Sequence, residues 1–147
     1  MSRALARATT PDGLVVAGTR DALVIGDLVL PWEQVQAADW DQEASSLVVS
    51  EVGHWGDERP VHTLVLHEAG RLLALVRERV TASIVLQRHT AVVGRRGVFV
   101  IGRRPPGGDG PIAWTFEFQA GIDPADPVVQ EAARSALLQA REDVGDL

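Results

Sequence analysis

Three histidines are the residues of this chain best suited, by type and by neighbourhood, to do chemistry. His54, His62 and His67 fall within 14 positions, beside Glu51, Asp57 and Glu58. Imidazoles with carboxylates form a donor set that suits zinc. The spacing works against that use. His62 and His67 are five apart in a stretch that reads as strand, where an odd separation sends side chains to opposite faces. Neither HExxH nor a helical i, i+4 histidine pair is present. They read as surface histidines.

Nucleophilic and acid–base constellations are also missing. No serine lies in a G-x-S-x-G elbow, and Ser45-Ser46 has the look of a hairpin turn. Asp39 and Asp41 share one face of a strand, as paired acid–base carboxylates would, but a solvated strand face is the simpler reading. The chain has no Cys and no Tyr, and all 14 basic residues are Arg. Thiol chemistry, Schiff bases and the P-loop lysine are thereby excluded. The glycines of 107–110 and of Gly94-Arg95-Arg96-Gly97 therefore mark hairpin turns rather than phosphate cradles. No enzymatic activity, metal or organic cofactor is expected.

Charge is the least even property of the chain. Residues 71–104 carry eight arginines against Glu78, a net of +7. Residues 12–58 carry ten acids against Arg20, a net of −9, and residues 105–147 eight acids against two arginines, a net of −6. Such asymmetry suits an anionic partner, or basic and acidic segments that pair within the chain or between copies. The overall charge of −6 disfavours general nucleic-acid affinity. Arg95, Arg96, Arg103 and Arg104 bracket one short segment and are the candidate binding residues. Trp55, alone in the polar loop 53–57, joins them as an exposed aromatic of the kind enriched at interfaces. Trp114 reads as core, and Trp32 and Trp40 as partly buried.

The elements that must position these residues follow from periodicity. Residues 3–67 read as about seven short antiparallel strands. Gly18-Thr19-Arg20-Asp21 and Gly26-Asp27 supply turns, and Pro31 ends a strand. Leu72, Leu73, Val76, Val80 and Ile84 then recur at spacings of three and four, predicting an amphipathic helix over 69–87. The β-branched Thr81, Ile84 and Val85 weaken its last turn. Strands at 90–93, 97–104 and 112–119 follow, the last alternating with Ile112, Trp114, Phe116 and Phe118 on one face. Asp123-Pro124 or Asp126-Pro127 starts a closing helix near 125–144, and Gly145 stops it.

The expected fold class is α+β within a single domain spanning 1–147. Many short strands followed by one helix is the order of a bacterial pleckstrin-homology-like (PH-like) domain, and local segments resemble that family. Gly18-Thr19-Arg20-Asp21-Ala22-Leu23 looks like its T-[DN]-x-x-L hairpin, and Leu30-Pro31-Trp32-Glu33-Gln34-Val35 like its I-P-[YW]-x-x-I segment. The resemblance covers about residues 10–88 and makes 1–88 the PH-like strands and helix, leaving 89–147 as an appended ββα. It implies a non-enzymatic module that binds lipids, peptides or proteins, or that builds oligomers. A protein partner or self-association is the expectation, with a nucleic acid or phosphorylated ligand at the arginines of 71–104 as the alternative. No apolar run approaches the roughly 18 residues of a membrane-spanning helix, and no secretory signal opens the chain, so cytoplasmic residence is expected.

Overall fold

Alternating apolar residues separated by turn-formers build the first half of the chain, and the 3.6-residue period builds the two helices. A computed structural model describes residues 3–53, 55 and 58–146. The fold class is α+β, with three antiparallel sheets and two α-helices among the described residues. No helix among them is long and apolar enough to cross a membrane. The chain divides into two compact units.

The first unit comprises residues 1–52, 59–83 and 105–109. Strands β1 (Ala4–Thr9), β2 (Val15–Thr19), β3 (Ala22–Ile25) and β4 (Leu28–Pro31) form a four-stranded meander in chain order. A 3-10 turn at Trp32–Gln34 leads into the second sheet of this unit, β5 (Val35–Asp41), β6 (Ser46–Glu51) and β7 (Val61–Val65). Helix α1 (Gly70–Ser83) packs on β1, β2 and β5. The turn after β2 is built by Thr19, whose hydroxyl accepts from the backbone N–H of Asp21 and Ala22 and donates to the Ala22 carbonyl. The indole of Trp32, fully buried, donates to the Thr19 carbonyl at 2.9 Å. A bridge between Thr9 and His67 links the two sheets. Val16, Leu23, Leu30, Val35, Leu47, Val49 and Leu72 form the centre of this core.

The second unit comprises residues 53–58, 84–104 and 110–147. Strands β8 (Ile84–Val93), β9 (Arg96–Arg103) and β10 (Ala113–Phe118) form an antiparallel sheet with β9 central, and helix α2 (Pro127–Asp143) packs on β8 and β9. Asp126 supplies the cap of α2, its carboxylate accepting from Val128 N at 2.9 Å with Pro127 at the first helical position. At the other end Gly145 takes a φ of 72°, and Asp146 N and Gly145 N bond back to the Arg141 and Glu142 carbonyls. This is the αL stop that a glycine after the last turn favours.

One boundary differs from expectation. The helix predicted over 69–87 ends at Ser83, and the strand predicted at 90–93 begins at Ile84. Ile84 and Leu86 pair with Arg103 and Gly102 of β9. Ladder bonds to β9 outweigh one more turn of helix for β-branched residues whose helical propensity is already low.

Candidate functional site

The residues singled out for binding belong to the second unit, and the structure gives them unlike roles. Arg95 and Arg96 sit at the β8–β9 hairpin, where Gly94, at a φ of 60°, and Arg95 form a two-residue loop. Both arginines are exposed, and Arg96 donates to the Ala120 carbonyl at 3.4 Å. Arg103 and Arg104 lie at the far end of β9, about 23 Å away at the rise of an extended strand. The two pairs do not make one patch.

Arg103 corrects the surface expectation. It is 2% exposed, donating to Thr115 Oγ1 at 2.9 Å and to Glu117 Oε2 at 3.3 Å. Its neighbours Thr115 and Glu117 occupy the polar face of β10, so the alternation read from the sequence holds. The guanidinium is buried on that face, its two terminal nitrogens bonded within the unit and its Nε without a hydrogen-bond partner among the described residues. Arg104 is half-buried, without an ion-pair partner among the described residues.

Trp55 is 38% exposed, but its ring is engaged. It packs edge-on against Phe116 and Phe118, with centroids 4.9 and 4.7 Å away, and donates to the Pro124 carbonyl at 3.0 Å. Phe116 and Phe118 rest in turn on the cluster of Val98, Ile122, Val129 and Ala133. Trp55 thus lids the core of the second unit. Trp114, expected in that core, is only half-buried; it covers Gly102 and donates to Asp146 Oδ2 at 2.6 Å. Its indole N–H needs a polar partner, which keeps its edge outside the apolar cluster.

The asymmetric charges resolve in part into local pairs. In the second unit Arg88 meets Asp143 at 3.4 Å and Arg103 meets Glu117. In the first unit Arg79 bonds Glu78, which raises the guanidinium pKa, with Asp21 contributing less. The same contact holds the Glu78 carboxyl below its ordinary range. Arg71 and Arg77, exposed on α1, have no ion-pair partner among the described residues.

Of the histidine set, His54 and Asp57 lie outside the described residues. His62 Nε2 lies 2.7 Å from Glu51 Oε2, two neighbouring strands placing them side by side. Exposed His67 lies beyond β7, in the bridge to Thr9. The described residues hold no group of three side chains that could bind a metal. Asp39 and Asp41 are exposed, and Asp41 accepts from Glu43 N and Ala44 N to form the turn before β6.

What the sequence reading missed is a cleft in the first unit. It encloses about 250 Å³ between β5 and α1. Ala38 and Trp40 supply one wall from β5, and Leu73, Val76 and Val80 the other from α1, with Leu47 behind. Exposed Arg77 and Thr81 stand at its rim. Strand β5 pairs with β6 on one side only, so it is the edge of its sheet beside this cleft. Each wall carried a signal, period two at 38 and 40 and the three–four spacing of 73, 76 and 80. Only the packing of α1 against β5 brings the walls together. No protein-family model, curated protein or solved structure matches the chain.

Proposed function

We propose that this chain is a non-enzymatic binding module, PH-like in its first unit, that takes an extended segment of a partner protein along β5. The observation that carries the reading is the apolar cleft between an edge strand and a helix. An edge strand offers unpaired N–H and C=O groups to an added strand, and a pocket beside it selects alternate side chains of the guest. The half-buried walls Trp40, Leu73 and Val80 suit an apolar guest residue, and Arg77 at the rim suits an acidic one. The PH-like part draws support from the strand order, four then three before one helix, and from the contact of Trp32 with Thr19. These two residues belong to the two segments that resemble the family.

Peptides selected from a random library against the full chain provide the test. Thr81→Trp fills the cleft from an exposed position, and Arg77→Ala removes the rim charge. Selected peptides should lose at least tenfold in affinity with Thr81→Trp and several-fold with Arg77→Ala when they carry an acid. Binding indifferent to both variants would remove the cleft from consideration. Binding lost with Arg95→Ala/Arg96→Ala, together with retention of single-stranded RNA by the wild type at 150 mM salt, would favour the anionic-ligand alternative.

A further inference from the structure

The outer face of the β1–β4 sheet has an unusual composition. Arg7 pairs with Ala17, Ala17 with Val24, and Val24 with Val29, so one row of side chains crosses all four strands. Their sheet neighbours Val16, Leu23 and Leu30 are buried in the core, which turns this row outward. Val29 is 60% exposed and Val15, on the same face, 42%. A one-sided antiparallel sheet ordinarily presents polar residues to water. Here the row is apolar except at its β1 end.

Charge breaks the symmetry of this face. Arg7 lies on edge strand β1, and exposed Asp27 lies in the turn that begins edge strand β4. Neither has an ion-pair partner among the described residues. Two copies packed face to face have two simple twofold arrangements. An axis across the strands stacks β1 on β1 and sets Arg7 against Arg7. An axis along the strands stacks β1 on β4 and β2 on β3. In that second arrangement Arg7 of one copy lies over Val29 of the other, with Asp27 two residues further on. Two strand residues span about 6.6 Å, within reach of a long arginine side chain. At the centre Ala17 meets Val24, and the small side chain permits the roughly 10 Å spacing of stacked sheets.

We propose that this face joins two copies of the chain, with the twofold axis parallel to the strands and Arg7 of each copy paired with Asp27 of the other. Four strands at about 4.8 Å and five residues at about 3.3 Å make a face of roughly 19 by 16 Å. Two such faces fall below the total of about 1,200 Å² typical of stable complexes, so the dimer is weak and exchanges rapidly.

Sedimentation velocity of the full chain tests this. The wild type should shift from monomer to dimer between roughly 10 µM and 1 mM, the affinity range of small interfaces. Val29→Glu should stay monomeric throughout, with unchanged circular dichroism and melting because its side chain is exposed. Arg7→Asp and Asp27→Arg should each weaken association at least threefold, and Arg7→Asp/Asp27→Arg together should restore it. A wild type monomeric at the highest concentration overturns the proposal. So does association that survives Val29→Glu, or a double reversal as weak as the single changes.

Discussion

Trp55 meets Phe118 edge to face, with ring centroids 4.7 Å apart and ring planes at 78°. The contact, repeated with Phe116, sets an exposed loop tryptophan against the two phenylalanines that pack on the second unit's core. Such aromatic pairs contribute about 0.5–1.5 kcal/mol beyond burial, and the bond to the Pro124 carbonyl about 1 kcal/mol. Trp55→Ala should therefore lower stability by about 3 kcal/mol in urea denaturation. Trp55→Phe should retain more than half of that. A loss below about 0.5 kcal/mol for the alanine variant would show that the ring does not seal the core.

Arg103 and Glu117 make a second test, because removing one partner of a buried pair differs from removing both. Glu117→Ala leaves a buried guanidinium uncompensated and should cost about 3 kcal/mol. Arg103→Leu/Glu117→Leu should recover most of that loss, as apolar replacements of buried ion pairs do. Equal destabilisation by the single and double variants would contradict the assignment of Arg103 as an internal charge paired with Glu117.

Gly97 is required by space rather than by backbone angle. A Cβ there would lie 1.8 Å from the carbonyl oxygen of Thr90 across the β8–β9 ladder. Gly97→Ala must push two strands apart, and overpacking of this kind costs about 3 kcal/mol. Gly94, with a φ of 60° and open space around it, should cost only about 1 kcal/mol as Gly94→Ala, the strain of a left-handed residue. Equilibrium denaturation of the two variants should rank Gly97→Ala the more damaging. The reverse order would refute the steric account.

Asp12 offers a pH test. Its carboxyl accepts a hydrogen bond from the Thr10 hydroxyl, which holds its pKa below the ordinary aspartate value. A pKa depressed by folding contributes stability that is complete above the unfolded value and is lost as pH falls through the folded one. Thr10→Val should raise the Asp12 pKa toward the ordinary value in an NMR titration. It should also flatten the loss of stability in the acid range below the ordinary carboxylate pKa. An unchanged Asp12 titration in the variant would assign the shift to another cause.

The features legible in the sequence are those decided within one turn or one strand. Asp126-Pro127 starts α2 and Gly145 stops it, because cap chemistry and the steric freedom of glycine act locally. The turns at Thr19–Ala22 and Gly26-Asp27, and the alternation of 112–118, follow from backbone sterics and period two in the same way. Helix α1 was legible in its stripe but not in its end, since Ser83 is decided by what β9 offers to Ile84 and Leu86. Trp55 is exposed as its polar loop predicts, whereas Arg103 is not, because side-chain type predicts exposure only on average. The burial of Arg103 beside Thr115 and Glu117, and the ring contacts of Trp55 with Phe116 and Phe118, depend on residues far along the chain. The β5–α1 cleft and the row Ala17, Val24 and Val29 with Arg7 at its end likewise exist only once separate elements meet. Local propensity sets what each element is, and which faces are left uncovered is a property of the packed whole.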